Sequence, residues 1–579
     1  MITLQNRLYH LFINYGYMKQ LLLTLCIWLA VQPFVEGKNR EVSVSSFGAV
    51  PNDGLNDAAA LRKAAEYCRQ HRGVTLRLEP GVYQFSDPTA ADIERRAING
   101  ELGNGLEVQW QLFNPRKPYV TGLDFTGARD LTILAEGAVL EVEGWMEVMS
   151  FVQTRNLTLK GLTITYRRPA ATEARIVSNG PDGFLAEFDP QLYRYIDHIV
   201  QGRLYFYSQS KQRFYYAHTG KMELVRPGLI RVESHDLPPV GDYLIIRYGG
   251  HYRPCIMLKE SRDVTVENVT IHSFPGMGIV GHLTENILID GLKVVPEPGR
   301  YSSTNTDATH FTSCSGQLTI RNSIFKGNGD DCTNVHNYYY TIYPQTQQPR
   351  QVEIKIEGAD LHAQSLDYPT KGDTLLLVDR ESLETRDRFV VRDVDTSVVN
   401  WQVLVTLNKN FPAEMEKTCY LVNHTRYPHV SIINNRASYA NARAFLLKVP
   451  HSVITGNYIE HSTHTAIKLG GELSWREASP VESALIENNY ISECGEAVGE
   501  GTASCVMVST EARKTPPYVN RNIIIRNNVF HSRQRYAILL QDAENVLIEN
   551  NRIQATDYVR QDHCRQVTIK DYPQTPTQP

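Results

Sequence analysis

Ile523–Phe530 reads Ile-Ile-Ile-Arg-Asn-Asn-Val-Phe and Val546–Ile553 reads Val-Leu-Ile-Glu-Asn-Asn-Arg-Ile, so one phrase returns a short distance along the chain. Alternating aliphatic residues that lead into an asparagine or glycine predict short strands joined by tight corners. Related phrases occur six more times, at Leu157–Ile164, Val264–Ile271, Ile287–Val294, Leu318–Phe325, Val453–Ile459 and Leu485–Ile491.

The spacing of these phrases indicates a repeat fold. Asn268 to Gly291 and Asn435 to Asn457 are single steps, while longer steps match one coil plus an inserted loop. The period of about 22–23 residues suits a solenoid, whereas a propeller would need about 40–50. We therefore predict an all-β fold, a right-handed parallel β-helix of the pectate-lyase type with coils about 4.8 Å apart. A corner asparagine tolerates the left-handed conformation, and its amide can bond the asparagine of the next coil.

The ends and interruptions of the repeat define the expected domains. Ala58–Gln70 has a helical pattern and would cap the N-terminal end of the stack. Residues 172–250 and 345–425 lack the phrase but alternate like antiparallel strands, so we expect two inserted small β modules instead of irregular loops. The predicted order is a signal peptide (1–37), N-terminal coils (38–171), a first module (172–250), central coils with the active site (251–344), a second module (345–425) and C-terminal coils (426–579).

Composition excludes several classes of protein. The 579 residues are 42% hydrophobic and 21% charged, unlike a disordered chain or a polytopic membrane protein. The 59 basic residues are fewer than the 63 acidic ones, so we expect no nucleic-acid partner. The eight cysteines beyond Cys26 form no CxxC pair, which argues against a zinc site and leaves room for a disulfide.

The N-terminal segment predicts export. Leu21–Val31 is a short apolar run that follows Met18 and Lys19. This pattern is typical of a secretory signal, cleaved between Ala30 and Lys38, and not of an integral membrane span, which needs roughly 20 apolar residues. We therefore expect a periplasmic or extracellular protein. The inserted modules leave a homo-oligomer open.

Two acidic clusters about one coil apart are the most informative feature for function. Asp330 follows Asp307 by one clean coil step, and Asp331 is the next residue. Residues one period apart lie nearly above each other in a parallel stack, so we expect the three carboxylates to converge. Their repulsion would raise the pKa of at least one carboxyl and leave a proton available near neutral pH. Any one of these residues alone would suggest a turn or a calcium ligand; the matched trio favours catalysis.

These residues also carry a resemblance to known families. Asn305-Thr306-Asp307 with Gly329–Cys332 resembles the Asn-Thr-Asp and Asp-Asp-Cys motifs of polygalacturonases, which are inverting glycosidases on a parallel β-helix. The longer run Thr304–Asn334, together with the N-terminal pattern and two inserted modules, resembles more closely the bacterial exo-α-1,3-galactosidases that act on blood-group B-type glycans.

The resemblance implies an inverting exo-glycosidase whose partner is a galactose-terminated glycan. Asp330 would be the general acid, and Asp307 and Asp331 would activate the water. Inversion predicts carboxyl groups about 6.5–9.5 Å apart, with no metal or other cofactor required. The Gly-His-Gly and Arg-Ile-Lys motifs with which polygalacturonases bind acidic sugars are missing; Ala466-Ile467-Lys468 is the nearest match. A neutral galactoside is therefore the expected substrate.

Register arguments suggest further residues around the site. A shift by the same coil step places Ser313 beside His336, and the corner phrases align His282 and Lys448 in the same outward column. Hydrogen-bonding side chains here could orient galactose hydroxyls, although each could instead be a solvated or strand-capping residue. The candidate substrate-binding residues are Asn305, His310, Asn334, His336, His282 and Lys448. Tyr338–Tyr340 is either an aromatic platform for the sugar or ordinary strand packing.

Two other classes stay open. A polysaccharide lyase on the same fold would use a lysine or arginine base and usually calcium to act on a uronate. A non-catalytic β-helix glycan-binding protein would keep its function after Asp330→Asn. The choice between branched B-antigen and linear α-1,3-galactosides depends on loops in which no motif is readable.

Overall fold

The protein is described by a computed structural model over residues 40–102, 119–197, 202–248, 252–343, 348–355, 367–396, 403–511 and 518–570. The chain divides into two units, of which the second, Glu41–Pro579, contains nearly all of the described residues. The predicted signal segment Leu21–Val31 and its cleavage region lie outside the described residues. Within the ranges given above, no helix is long and apolar enough to cross a membrane.

Three parallel sheets form the body of the second unit, and neighbouring strands in each sheet come from successive coils. Sheet A has thirteen strands: Arg40–Ser43, Val74–Arg77, Arg129–Leu134, Arg155–Lys160, Arg262–Glu267, Glu285–Asp290, Ser315–Arg321, His429–Ile433, His451–Thr455, Ser483–Glu487, Asn520–Arg526, Ala543–Glu549 and Arg565–Ile569. Sheet B has eleven strands: Gly81–Ser86, Ala138–Glu143, Thr163–Tyr166, Thr270–Ile271, Lys293–Val294, Ile324–Lys326, Arg436–Ser438, Tyr458–Glu460, Tyr490–Ser492, Val529–His531 and Arg552–Gln554.

Sheet C completes each coil and carries the candidate site. Its strands are Thr121–Asp124, Glu147–Val152, Ile256–Lys259, Ile279–His282, Thr309–Thr312, Thr333–Tyr343, Phe445–Leu447, Ile467–Leu469, Val506–Val508, Tyr536–Gln541 and Asp557–Asp562. The predicted parallel β-helix is confirmed.

Aliphatic stacking explains why the alternating phrases fold this way. Val264 pairs with Ile287, which pairs with Leu318, and all three side chains are buried inside the coil. Each such side chain contributes about 1.5–3 kcal/mol when it leaves water. Residues that alternate with these buried side chains along each strand, such as Thr265, point outward and are only half-buried.

Two adjacent residues at each corner have different structural roles. Asn434, Gly456, Asn488, Asn527 and Asn550 have positive φ and make the turn. The residue after each of them makes a buried amide ladder, in which Nδ2 of one asparagine donates to Oδ1 of the next at 2.9–3.0 Å, through Asn435, Asn457, Asn489, Asn528 and Asn551. The amide ladder was predicted; its separation from the left-handed residue was not.

Helices lie at the beginning of the stack. Ala58–Gln70 is helical over the predicted range and buries Leu61, Ala64 and Cys68 in the main core, near strand Thr121–Asp124. A second helix, Pro88–Ile98, is capped by Asp87, whose carboxylate accepts from two backbone amides of the first turn. Among the described residues, 3-10 helices span Val44–Phe47 near this end and Ala413–Met415 far from it.

Two antiparallel sheets interrupt the coils. The first antiparallel sheet has seven strands, in the order Arg213–Tyr215, Arg203–Ser208, Tyr243–Arg247, Ala171–Gly180, Gly183–Glu187, Leu229–Glu233 and Met222–Arg226. The second is a closed ring of six strands, formed by the outer half of Thr333–Tyr343 with Gln351–Lys355, Val403–Leu407, Thr385–Asp395, Thr374–Asp379 and Cys419–Asn423. Strand Glu477–Ala478 pairs with Asn337–Tyr338. The eight cysteines in the described ranges are free thiols, and all but Cys564 are buried.

Candidate active site

The three predicted carboxylates meet at one corner of sheet C. One carboxylate oxygen each of Asp307, Asp330 and Asp331 lies within 4.8 Å of the other two. Asp307 and Asp331 each precede a strand of sheet C by two residues and are almost completely buried, whereas Asp330 is half-buried. Asp330 is therefore the carboxyl of the trio that a substrate can reach most directly.

The coil at this corner is one residue longer than the predicted step, so the predicted register of Asp307 with Asp330 is wrong. Thr309 pairs with Thr333, and Asp307 therefore lies beside Asp331. The extra residue is a β-bulge in the preceding strand of sheet A, where Glu285 pairs with Ser315 but Ile287 pairs with Leu318. Gly316 takes φ +70° within this bulge. A glycine inside a strand often marks a bulge, and the corner phrases alone did not reveal it.

The same shift corrects one predicted neighbour. Thr312, and not Ser313, lies beside His336, while the Ser313 hydroxyl donates to Oδ1 of Asn337 at 3.1 Å. His282 pairs with Thr312. Since Val335 pairs with Leu447, Lys448 follows in line with His336. Three of the four residues predicted for this outward column therefore share it.

Burial and the negative charge of neighbouring carboxylates raise the proton affinity of Asp307 and Asp331. Desolvation raises the pKa of both Asp307 and Asp331 well above the usual carboxyl range, and repulsion from Asp330 acts in the same direction. Arg443 opposes this shift: its Nε lies 3.3 Å from Asp331 Oδ1, and its backbone N–H donates to the same oxygen at 2.8 Å. Three close carboxylates titrate as a coupled group, so at least one proton is retained at higher pH than for a free aspartate.

A buried hydrogen-bond chain extends from Asp307. Asp307 Oδ2 lies 2.6 Å from His310 Nδ1, and His310 Nε2 lies 3.0 Å from His336 Nε2. His336 Nδ1 must donate to the Asn337 carbonyl oxygen, 3.0 Å away, because a carbonyl can only accept. With one proton in each hydrogen bond, the three side chains hold one proton more than a carboxylate and two neutral imidazoles. Burial lowers the pKa of His310 to about 4 and lowers that of His336 well below its usual value, so Asp307 is the preferred carrier of the extra proton.

Buried ion pairs lie behind the carboxylates. Lys448 Nζ is 3.1 Å from Glu472 Oε2, pairs with Glu477 and donates to Asn334 Oδ1 at 3.3 Å. Lys468 pairs with the other oxygen of Glu472. Glu472 and Glu477 were not identified from the sequence because their loop carries no repeat phrase. The spacing of Lys468 and Glu472, four residues apart, is too common a pattern to have signalled a site.

The six predicted substrate-binding residues are all buried. His310 and His336 belong to the chain from Asp307, and Asn334 contacts Lys448. Asn305 Nδ2 donates to the Tyr248 carbonyl at 2.9 Å, while His282 Nε2 lies 3.4 Å from Asp367. The structure thus connects His310 and His336 to Asp307, places Asn334 against Lys448 and leaves His282 beside Asp367; direct sugar contact stays a prediction for all six residues. Tyr338–Tyr340 has no exposed surface, so strand packing is the alternative observed.

An exposed aromatic ring does lie close to Asp330, on Tyr216. Its side chain is 46% exposed, and its hydroxyl donates to Asn441 Oδ1 at 3.0 Å. Asn441 in turn donates to the Gly329 carbonyl at 3.2 Å, one residue before Asp330. Desolvation raises the pKa of the Tyr216 hydroxyl, and Asp330 adds to that shift. Tyr216 follows strand Arg213–Tyr215 of the first antiparallel sheet, so no coil register could connect it with the site.

Comparisons with known proteins agree with this architecture. The family model "Right handed beta helix region" matches residues 420–568. The α-1,3-galactosidase A of Shewanella woodyi is 25% identical over 547 residues, which cover 89% of this chain and 86% of the relative. The α-1,3-galactosidase A of Bacteroides thetaiotaomicron is 24% identical, covering 94% of this chain and 98% of the relative, and its α-1,3-galactosidase B is 25% identical, covering 92% and 90%.

Solved structures match less closely. The Family 28 exopolygalacturonase of Yersinia enterocolitica has a TM-score of 0.42 at 10% identity, covering 93% of this chain and 79% of that one. A score this low supports no conclusion about activity. The sequence matches, in contrast, extend over most of both chains. The resemblance inferred from residues 304–334 is therefore confirmed: over most of its length the chain is similar in sequence to the bacterial α-1,3-galactosidases, and it folds as a right-handed parallel β-helix.

Proposed function

We propose that this protein is an exo-acting glycoside hydrolase that releases terminal α-1,3-linked galactose from a neutral glycan, with inversion at the anomeric carbon. One observation carries the proposal: a half-buried carboxyl converges with two buried ones whose pKa values are raised. The names of the relatives supply the sugar and the linkage. The apolar run near the N-terminus suggests that the enzyme works outside the cytoplasm.

Asp330 is the proposed general acid because it is the most exposed member of the trio. It donates its proton to the glycosidic oxygen as the bond to the anomeric carbon breaks. Asp307 and Asp331 hold the attacking water, and Asp331 accepts the proton that the water loses. A raised pKa makes Asp331 a stronger base than a free carboxylate. After product release, a proton returns from Asp331 to Asp330 and restores the starting state.

The chain from Asp307 through His310 to His336 has a separate part in this proposal. It holds one extra proton close to the water and limits the negative charge that faces the sugar. The proton can move between Asp307 and His310 along a bond of 2.6 Å without leaving the protein. This gives Asp307 both a water-binding role and a charge-adjusting role during the reaction.

Pairing of three cations behind the carboxylates favours a neutral sugar over a uronate. Arg443 is bound to Asp331, and Lys448 and Lys468 are bound to Glu472. None of these three cations is left without a carboxylate, so each is already neutralised before a sugar arrives. A polygalacturonase-like enzyme or a lyase would need such cations for the acidic substrate or as the base.

The carboxyl separation does not support inversion by itself. Carboxylate oxygens within 4.8 Å are closer than the predicted 6.5–9.5 Å and nearer to the ~5 Å typical of retaining enzymes. The inverting part of the proposal depends on the family resemblance. Converging carboxylates also suit a hard cation, but Arg443 and His310 already contact two of the three.

The test is incubation with the blood-group B trisaccharide and with a linear α-1,3-galactobioside, followed by proton NMR of the released sugar. Initial β-galactose supports the proposal, and initial α-galactose would replace inversion with retention. Activity should survive dialysis against a chelator. Release from polygalacturonate, or a product that absorbs in the ultraviolet, would favour the polygalacturonase-like hydrolase or the lyase. Binding without release would favour a glycan-binding protein.

A further inference from the structure

The first antiparallel sheet reaches into the backbone of the candidate site through Arg247. This residue ends strand Tyr243–Arg247 and is only 7% exposed. Its Nη1 donates to the carbonyl oxygen of Asn305 at 2.6 Å and also to that of Gly329. Asn305 precedes Asp307 by two residues and Gly329 precedes Asp330 by one. A single guanidinium nitrogen therefore joins the two loops that carry the candidate catalytic carboxyls.

The two loops approach each other closely at this point. A Cβ on Gly329 would overlap the Asn305 carbonyl oxygen and would lie 2.6 Å from Arg247 Nη1. Two carbonyl oxygens that point toward one place repel each other. A buried positive charge between them offsets that repulsion, and hydrogen bonds to a charged donor are stronger than neutral ones. Removing the guanidinium should therefore let the loops separate.

Other residues of the same sheet hold the segment that leads into the Asp307 loop. Glu173 Oε1 accepts from the backbone N–H groups of Tyr301 and Ser302, each at 2.9 Å. The hydroxyls of Tyr205 and Ser302 are hydrogen-bonded at 3.0 Å. The Arg247 guanidinium itself lies over the Tyr205 ring, 5.0 Å from its centroid. The Tyr205 ring and the two carbonyl oxygens hold the Arg247 side chain in one orientation. An arginine that only filled space would not need such contacts.

We propose that Arg247 is a positioning residue that sets the spacing between Asp307 and Asp330, and that the first antiparallel sheet influences the candidate site through this one side chain. The inference rests on the proposed function, because it presumes that these carboxyls perform the chemistry. Arg247 acts through the backbone and does not touch the sugar. Its loss should therefore lower kcat while leaving KM nearly unchanged.

The experiment compares Arg247→Met and Arg247→Lys with Arg175→Met, an exposed arginine on strand Ala171–Gly180 of the same sheet. A displacement of about 1 Å at a reacting group can cost ~100-fold, so we expect that loss in kcat for Arg247→Met, with KM within about 2-fold. Lysine can bridge the carbonyls only imperfectly, and we expect about a 10-fold loss. Arg175→Met should match the wild type in both constants.

The outcomes separate this inference from the proposed function. No galactose release by the wild type would reject the function. An active wild type together with unchanged kcat in Arg247→Met, or a raised KM with unchanged kcat, would reject only the positioning role. If Arg247→Met does not fold, Arg247→Lys and Tyr205→Phe decide by the same criteria. Tyr205→Phe removes one hydrogen bond to the loop segment and should lower kcat by about 3-fold at constant KM.

Discussion

The C-terminal coils and the active-site corner each carry a ladder in which backbone N–H groups donate to side-chain oxygens, but the two ladders run in opposite directions along the stack and differ in side-chain charge. In the C-terminal coils, the backbone N–H of Asn435 donates to Oδ1 of Asn457 in the next coil at 2.9 Å. At the active-site corner, the backbone N–H of Asp331 donates to Oδ1 of Asp307 at 3.2 Å, and that of Arg443 donates to Oδ1 of Asp331 at 2.8 Å. Both ladders connect successive coils, but one is built from neutral amides and the other from carboxylates.

The difference shows how a repeat can acquire a reactive site when carboxylates replace amides in a ladder between coils. An amide satisfies its own donor and acceptor within the ladder and has no proton to exchange. A carboxylate gives one oxygen to the ladder and keeps the second for chemistry: Asp307 Oδ1 accepts from Asp331, and Asp307 Oδ2 faces His310. The cost is electrostatic repulsion in a buried place, which Arg443 and the extra proton reduce.

The strongest way to break this comparison is Asp330→Asn. If the half-buried carboxyl is the acid, kcat should fall by about 10⁴-fold with little change in the melting temperature, since general acid catalysis contributes roughly 10²–10⁴-fold. Exposed Asp393, on the second antiparallel sheet, gives a control in Asp393→Asn that should retain full activity. Steady-state kinetics on the B trisaccharide measures both. Retained activity in Asp330→Asn would remove the carboxyl from the mechanism.

Substituting asparagine for Asp307 or Asp331 distinguishes the role of each carboxylate in the hydrogen-bond ladder from its role in catalysis. In Asp307→Asn and Asp331→Asn, the Oδ1 acceptor remains and a repelling charge disappears, so we expect a kcat loss of about 10²–10³-fold without loss of stability. Asp331→Ala should instead destabilise the fold by about 1–3 kcal/mol, because the Arg443 amide and guanidinium lose their partner. Urea unfolding measures the contrast; equal destabilisation by both substitutions at Asp331 would contradict it.

In the neutral ladder the expected effect is on stability alone. Asn489→Ala removes a buried side chain that bonds Asn528, the Asn457 amides and the Ile454 carbonyl. We expect a loss of about 2–3 kcal/mol in unfolding free energy, with kcat unchanged. Asn488→Ala, at the left-handed position beside it, should cost only about 1–2 kcal/mol. A larger cost at position 488 would mean that the turn, and not the ladder, holds the corner.

The neutral ladder is also the part of the molecule that the sequence predicted best. Each coil must bury an aliphatic face and satisfy its corner, so Ile523–Phe530 repeats what Val546–Ile553 does, and the same logic predicted the cap Ala58–Gln70. The convergence of Asp307 with Asp330–Asp331 followed from the same repeat. The predicted register of Asp307 with Asp330 was wrong by one residue. The bulge at Gly316 adds that residue without changing the corner phrases, so the phrases could not reveal it.

What the sequence did not reveal are contacts that cross from one structural layer to another. Glu472 and the strand residue Glu477 lie in a segment between two coils, and their partner Lys448 lies in the preceding coil, where no sequence pattern connects it with them. Arg247 and Tyr216 come from an antiparallel sheet whose own alternation says nothing about what it covers. Such pairings depend on how the inserted sheet packs on the coil, and no periodicity encodes that.

The pH dependence of stability should distinguish the two ladders next. The folded-state pKa of Asp331 is raised above the unfolded value of about 3.9, so the native state binds more protons between those values. Stability from this group is complete below pH ~4 and is lost as pH rises through the folded pKa. We therefore expect the stability of Asp331→Asn relative to the wild type to increase as the pH rises above about 4. Asn489→Ala should show a constant difference, and a constant difference for both would contradict the raised pKa.

The smallest expected effect concerns Tyr216, the exposed ring close to Asp330. We expect no tyrosine of the C-terminal coils to share its function. If Tyr216 stacks on the apolar face of galactose, Tyr216→Ala should raise KM about 5-fold with kcat within a few-fold, since a stacking contact contributes ~1 kcal/mol. Tyr216→Phe should keep most of the affinity because the ring remains. Tyr458, 37% exposed and stacked on Tyr490 at 4.8 Å, offers the matched aromatic in the C-terminal coils. Tyr458→Ala should leave both constants unchanged, and an equal rise in KM at the two tyrosines would place the sugar elsewhere on the molecule.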